Sequence, residues 1–534
     1  MESLSSRRGA SIPTHSGLLI CIVASWTVVS IAKALPDLQQ TLVDLAAEVS
    51  ELQVPKIGAF PDEFLGASAG LKEAAAAVMR EKKKKKKNGA GRRDEGRPVC
   101  EVTEFGAVGS GEVYETAAIQ AAIDACGSLP GGGTVYLPPG TFLTGTVFLR
   151  SNITLWIDEG ATLLGSPLQK DFPTSPSQWY TILAQDVQNV ELTGGGVVSG
   201  QGLKFVVKFE ERKNVMVSWN TTDACLGNEC RPRLIGFVNC KNVHIWNLLL
   251  QEPPLWCLHI LNTDMVSIHD LVIIGDFNTP NTDGIDIDSS NNTVIKDCHI
   301  DTGDDGICPK TQQGPLHNLT VTDCWIRSKS CAVKLGSETH ADFDSLHFER
   351  LTIVDSHRGI GLQLRDSGSV NNVTFANIQM STRYYDPSWW GLAEPIYITA
   401  CPRTPTTEVG SITNVHFINI TATSENGIFM AGSNDSHLQG LNFKNVSLSM
   451  KRSTNFSSGL QDYRPGCRGL VEHRTSGVFM AFVEDVSMDD VKLQWNQENG
   501  LSDWGLPLDL IPSSVNNINL LGFHSSYPDH QVYS

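Results

Sequence analysis

The chain has no Cys-x-x-Cys pair, no excess of basic residues and no clear membrane-spanning run. Without Cys-x-x-Cys, a structural zinc site is not expected. Lys and Arg number 41 against 58 Asp and Glu, a net charge of −17. Such an acidic surface disfavours nucleic acid as partner and, taken globally, any polyanion. An anionic ligand would therefore need a locally basic site. The apolar run from Gly17 to Ala32 falls short of the roughly 20 residues a spanning helix needs. It follows Arg7 and Arg8 and ends at Ala32-Lys33-Ala34, so residues 1–34 read as a secretory signal, with a signal anchor as the alternative. No stable membrane span is expected.

What is present fits that secretory start. Beyond Cys21 there are twelve cysteines, an even number that permits disulfides in an oxidising compartment. Their pairing is open, although Cys225 and Cys230 are close enough to close a small loop. Nine Asn-x-Ser/Thr sequons, among them Asn152, Asn220, Asn318, Asn372 and Asn419, suit a glycoprotein. Some of those asparagines are equally suited to turns. Residues 35–98, Ala-rich and then carrying six consecutive lysines from Lys82 to Lys87, read as a solvated, disordered linker.

The main domain, 99–534, is expected to be all-β with one short N-terminal capping helix. Ile119, Ala122, Ile123 and Cys126 recur at helical spacing and mark that helix. Further on a strand-like unit repeats: NVHIWNLLL, VSIHDLVI, TVIKDCHI, LTVTDCWI, LHFERLTI, VTFANIQM, VHFINITA and LNFKNVSL. Most steps are 23 to 28 residues, with one longer interval containing RYYDPSWWGLAEP. Each unit is too short to bury its own apolar face. Stacked units would bury one continuous core, and their period-two alternation excludes a helical solenoid. The fold class is a right-handed parallel β-helix.

Stacking gives meaning to a repeated Asp-Gly-Ile, at Asp283 and again 22 residues later at Asp305. A second strand of each repeat aligns Asp283-Gly284-Ile285, Asp305-Gly306-Ile307, Cys331-Ala332-Val333, Arg358-Gly359-Ile360, Glu394-Pro395-Ile396 and Asn426-Gly427-Ile428. Equivalent residues on adjacent coils lie roughly 4.8 Å apart, so Asp283 and Asp305 stack with Asp304 beside them. Carboxylates this close cannot all ionise freely, and at least one should be held protonated. A protonated acid beside ionised partners is what glycoside hydrolysis uses; an acidic ladder or a calcium site uses the same residues. Outward positions further along carry Asp286, Lys310 and Lys334, with Gln363 and Arg365 beyond. A lysine-bearing floor beside the aspartates suits a uronate carboxylate. The small residues Gly284, Gly306, Ala332 and Gly359 are expected to leave the face open.

At these residues the chain resembles the polygalacturonases, glycoside hydrolase family 28, from about Val99 to the C-terminus. The resemblance rests on Asn281-Thr282-Asp283, Gly303-Asp304-Asp305, FNTPNTDGIDIDSS, GGGTVYLPPGTF and EGATLLGS. It implies a secreted, cofactor-free enzyme acting on pectic polysaccharide of the cell wall, expected to be a monomer. It implies Asp304 as general acid, and Asp283 and Asp305 as the residues that position and deprotonate water for inversion; with the outward positions read above, Asn281, Asp286, Lys310, Lys334, Arg365 and Gln363 are expected at the substrate. Nearest-coil spacing is closer to the retaining separation of about 5 Å, so side-chain directions decide the stereochemistry. The family's Gly-His-Gly is absent, with Lys329-Ser330-Cys331-Ala332 in its place; His357 and His340 are the nearby histidines. Its Arg-Ile-Lys is replaced by GIGLQLRD, with Gln363 at the lysine's position. Both departures leave another acidic or rhamnose-containing pectic linkage open. A calcium-dependent pectate lyase and a non-catalytic wall-binding β-helix are the remaining alternatives. Arg383, Trp389, Trp390 and Glu394 are expected on a loop over the cleft, where tryptophans either stack on sugar or pack on the barrel flank.

Overall fold

The computed structural model describes residues 96–207, 215–216, 231–456, 459–464, 467–495 and 504–526. The signal, nearly all of the linker, Asn220 and the Cys225/Cys230 pair lie outside the described residues.

The apolar spacing near residue 120 forms a helix, Thr116–Gly127, whose inward side is Ile119, Ala122, Ile123 and Cys126. Cys126 is bonded to Cys100, which ties the helix to the first strand. A second disulfide joins Cys401 and Cys467. Cys240, Cys257, Cys308 and Cys331 are free and buried. No helix of the described residues is long and apolar enough to cross a membrane.

Beyond the helix the chain coils, and the coils stack in register. The eight repeat strands pair as expected: Val243 lies against Val266, Val266 against Thr293, and the ladder runs on through Leu319, Leu346, Val373, Val415 and Leu441. These strands belong to a 24-stranded sheet; a second sheet of twelve strands runs from Val147–Phe148 to Leu508–Leu510. Alternate side chains point inward and fill the tube with aliphatic residues and stacked phenyl rings. Phe348, Phe375, Phe417 and Phe443 stack at centroid separations of 4.8, 5.3 and 4.8 Å. One continuous core results, as a solenoid of short units requires.

Along the larger sheet, asparagines within the strands take the left-handed region, where that residue is best tolerated. Asn318, Asn372, Asn419 and Asn445 all have positive φ. Asn419 Nδ2 donates to Asn377 Oδ1 and Asn445 Nδ2 to Asn419 Oδ1, each at 2.9 Å. These sequon asparagines thus sit at left-handed kinks within strands, hydrogen-bonded from coil to coil.

Candidate active site

The site grows from the twelve-stranded sheet. Ile285–Asp288 pairs in parallel with Ile307–Lys310, aligning Ile285 with Ile307 and Asp286 with Cys308. Asp283 and Asp305 therefore enter their strands at the same rung, and Gly284 N donates to Asp305 O at 2.9 Å. The next rungs are Cys331 and Arg358. Coil-to-coil contact explains the glycines. A Cβ at Gly284 would meet the Gly306 carbonyl oxygen at 2.4 Å and the Ile300 methyl at 2.7 Å. The small residues permit close stacking of coils; they do not line the cleft, contrary to the sequence expectation.

Asp304 precedes the strand and is placed by its neighbours. Its Oδ2 accepts from Asn281 N at 2.7 Å and its Oδ1 from Asp305 N at 3.0 Å. The loop carrying Asn281 is braced on Asp276, whose Oδ1 accepts from Asn278 N and Thr279 Oγ1. Gly303 lies under that loop, and a Cβ there would meet the Asp276 and Thr279 carbonyls at 2.4 Å. Arg231, fully buried, donates to the Pro254 and Pro280 carbonyls and to Asn281 Oδ1. Asn281 itself is in the left-handed region, φ 57°. It serves as a loop anchor at the cleft edge.

The two stacked aspartates carry opposite electrostatics. Burial, followed by Asp286 and Asp304, pushes Asp283 well above the ordinary carboxylate range. Burial also opposes ionisation of Asp305, but Lys334 and Lys310 outweigh it and hold the group below that range. Lys334 Nζ lies 2.6 Å from Asp305 Oδ2, while Ser330 Oγ and Cys331 N donate to its Oδ1 at 2.8 and 3.2 Å. A side-chain oxygen of Asp283, one of Asp305 and Cys308 Sγ lie within 4.8 Å of one another. Two hydrogen bonds through one water span such a gap.

Lys310 sits below them, buried, at 4.0 Å from Asp283, 3.4 Å from Asp286 and 3.5 Å from Glu338. Burial disfavours its charge, but Cys308, Asp286, Glu338 and Asp283 more than compensate. Asp286 is fully buried, neither oxygen hydrogen-bonded, and its carboxyl is pushed up to about 7, chiefly by burial. It supports Lys310 from below and does not line the cleft, which corrects its expected place at the substrate.

The cleft encloses about 420 Å³ and is lined by Asp283, Asp304 and Asp305 together with Asn281, Lys310, Lys334 and Arg365. Trp256, Glu338, Trp389, Trp390 and Arg403 are also part of its walls. Gln363 is absent from that wall: it is buried, with Nε2 facing the Arg464 carbonyl at 3.4 Å. Its strand turns that position toward the later loop, so it does not stand in for a substrate-gripping lysine. Neither histidine reaches the cleft. His357 is buried and bonds to the Gly391 carbonyl at 2.8 Å, and burial lowers it to about 4. His340 sits 3.7 Å from Asp366 at the surface side. Ser330 holds Asp305 at the rung where the family's histidine was sought.

The aromatic loop divides its residues between the two expected roles. Both tryptophans line the cleft, but Trp390 is 47% exposed and available to a sugar face, whereas Trp389 is 2% exposed and packed. Glu394 is buried, paired with Arg358 at 3.1 Å, and Arg383 lies over the Tyr385 ring. Trp256, Glu338 and Arg403 were not anticipated. Trp256 had a signal: Leu258, one coil earlier, pairs with Ile285, which places Trp256 at the position equivalent to Asp283 and Asp305. Glu338 and Arg403 lie on turns outside any repeat.

The charges are mostly spent internally. Arg403 forms a bidentate pair with Asp366, and Lys334 and Lys310 face the carboxylates above. Arg365 lines the cleft with no carboxylate partner among the described residues, and its Nε makes no hydrogen bond.

Residues 136–461, which contain every one of these aspartates, match the model of the glycosyl hydrolases family 28. The chain belongs to family 28. Among its family 28 relatives is a probable polygalacturonase of Vitis vinifera, 28% identical over 309 residues, covering 53% of this chain and 60% of the relative. An exo-poly-alpha-D-galacturonosidase of Dickeya chrysanthemi is 26% identical, covering 53% and 55%. The chain thus spans less than two thirds of the length of these two relatives. An endo-polygalacturonase of Pectobacterium carotovorum is 28% identical over 356 residues, covering 62% of this chain and 84% of that protein. In three dimensions, the family 28 exopolygalacturonase of Yersinia enterocolitica superposes with a TM-score of 0.60 at 20% identity, over 79% of this chain and 78% of its own. The parallel β-helix is shared with family 28.

Proposed function

We propose that the protein is a secreted glycoside hydrolase that cleaves pectic, galacturonan-type polysaccharide by acid–base catalysis with inversion. The observation that carries this reading is the cleft shared by Asp283, Asp304 and Asp305, with Asp283 pushed toward its neutral form and Asp305 held ionised. Asp304 delivers its proton to the leaving glycosidic oxygen as the bond to the anomeric carbon breaks. A water bridged between Asp283 and Asp305 attacks that carbon from the other face and gives its proton to Asp305. Trp390 offers a sugar platform, and Arg365 a cation for one uronate carboxylate. The polygalacturonase relatives support the substrate class, and the apolar run at Gly17 to Ala32 with two disulfides supports an extracellular setting.

A second reading is favoured by one specific feature. The rungs that would carry the family's histidine and lysine hold Ser330-Cys331 and Gln363, and Gln363 is turned from the cleft. A single unspent cation at Arg365 suits a linkage with fewer uronates, such as an alternating or rhamnose-containing one. A calcium-dependent lyase fits less well, because two ammonium groups already neutralise the acidic cluster.

Reducing-end release by the secreted protein on polygalacturonate, methylated pectin, rhamnogalacturonan and xylogalacturonan tests both readings. Release that is lost in Asp304→Asn and leaves no unsaturated product establishes the hydrolase and its linkage. Unsaturated products, or silence from folded protein on all four, would overturn it.

A further inference from the structure

On the larger sheet, away from the strands that carry the cleft, two histidines face each other across adjacent coils. His244 lies on Lys241–Trp246 and His269 on Asp264–His269, whose strands pair in parallel. Their Nε2 atoms are 2.7 Å apart. Each ring turns its other nitrogen to a carboxylate: His269 Nδ1 is 3.0 Å from Asp270 Oδ2, and His244 Nδ1 is 3.5 Å from Glu191 Oε1. Glu191 is fixed in turn by Trp246 Nε1 at 2.7 Å and Thr154 Oγ1 at 3.0 Å.

The tautomers follow from this arrangement. A carboxylate facing Nδ1 draws the ring proton there and leaves a lone pair on Nε2. The 2.7 Å between the two Nε2 atoms is a hydrogen-bonding distance, so the facing nitrogens hold one electrophile between them. A proton is one such electrophile, and a divalent transition metal is the other. Carboxylate–histidine–metal relays use the same outer arrangement, in which the carboxylate sets the tautomer and raises the basicity of the ligand. For tetrahedral ligands at about 2.0–2.1 Å, the two nitrogens would sit roughly 3.3 Å apart. Small side-chain rotations of half-buried rings supply that opening. The nearby charges are Glu191 and Asp270 against Lys296, which pairs with His269 on the next coil. The balance leaves the pocket net negative, as a cation needs.

We propose that His244 and His269 form a binding site for a late first-row divalent metal ion of the zinc and copper class, with solvent as the remaining ligands, clamping two coils of the solenoid. Imidazole ligands suit both ions, and copper(II) binds the tighter. The rings of Trp246 and His269 stack at 5.7 Å, so an ion held there is close to an intrinsic fluorophore.

The test titrates Cu²⁺ alone into the purified full-length protein, followed by electron paramagnetic resonance and tryptophan fluorescence. Saturable binding of one ion with nitrogen hyperfine structure is expected, together with quenching that Trp246→Phe reduces and Zn²⁺ reverses. His244→Gln/His269→Gln should weaken binding at least tenfold. Asp270→Asn keeps both imidazoles and should weaken it about tenfold or more by releasing the ring tautomer. Circular dichroism of the metal-free variants checks their fold. A pair that only shares a proton gives no saturable copper signal. That result, or an affinity and spectrum unchanged in the double histidine variant, overturns the site.

Discussion

Two columns of the same solenoid repeat different residues at the same spacing. Inside the tube, Phe348, Phe375, Phe417 and Phe443 stack at about one strand separation, all buried. At the mouth of the twelve-stranded sheet, Asp283 and Asp305 stack at the same rung of adjacent coils. The fold multiplies whatever chemistry a rung carries. Repeated phenyl rings remove apolar surface from water and stabilise the coil, while the repeated carboxylates are driven apart, Asp283 toward its neutral form and Asp305 toward its ionised form. The first column is a source of stability and the second draws on it.

The sharpest separation of the two columns comes from removing one carboxylate. Asp304→Asn or Asp305→Asn should lower kcat by about 10²–10⁴, the range that proton transfer by a positioned group contributes. Asp304→Asn keeps one of the two acceptors for the Asn281 and Asp305 amides, so its thermal unfolding should fall far less than its kcat. Similar losses of kcat and of folded protein would mean that the aspartates are structural. The opposite signature belongs to the phenyl column. Phe417→Ala should cost about 3–5 kcal/mol of stability in a denaturant titration, with kcat per folded molecule unchanged. Its ring has neighbours on both sides, so little collapse is available to fill the space.

A smaller effect is expected where the cleft meets charge on its substrate. Arg365→Gln removes the cation that lacks a carboxylate partner, and should raise KM on a uronate polymer by about 10–150-fold, the worth of a charge-assisted hydrogen bond of roughly 1.5–3 kcal/mol. On a neutral or sparsely charged polymer KM should barely move. Comparing the two substrates in steady-state kinetics separates the galacturonan reading from the rhamnose-containing one. Equal shifts on both would remove Arg365 from substrate recognition.

What was legible in the sequence was whatever the repeat period dictates. Period-two alternation set the strands, and the repeated Asp-Gly-Ile set the rung shared by Asp283 and Asp305. Register also carried Asp286 to its column. It could not say that Lys310 folds over that column and seals Asp286 away from the cleft. Nor could it say that Gln363 turns to the Arg464 carbonyl, because that partner arrives about a hundred positions later. Glu338 and Arg403 escaped for another reason: turns between coils vary in length, and period fixes nothing there. Trp256 was readable by extending the column of Asp305 and Asp283 one coil further back.

The finest distinction between the columns is how each responds to pH, and Asp286 is the place to measure it. Its folded-state value is about 7 against an ordinary 3.8, raised mainly by burial. A raised value means that folding favours the protonated form. The stability this contributes is full below about pH 3.8 and is lost as pH rises through about 7. His357 acts in the same window with the opposite sign. Lowered to about 4 from 6.5 by burial, it supports the fold above about pH 6.5 and is lost as pH falls through about 4. A wild-type profile mixes the two, but the difference between Asp286→Asn and wild type cancels His357. That difference should move in favour of the variant as pH rises from about 4 to about 7, then level off, in urea midpoints taken at several pH values. Lys310 keeps Glu338 and Asp283 as partners in the variant, so the comparison reads the buried carboxyl itself. A difference independent of pH would show that Asp286 is ionised throughout, and that Lys310 fully offsets its burial.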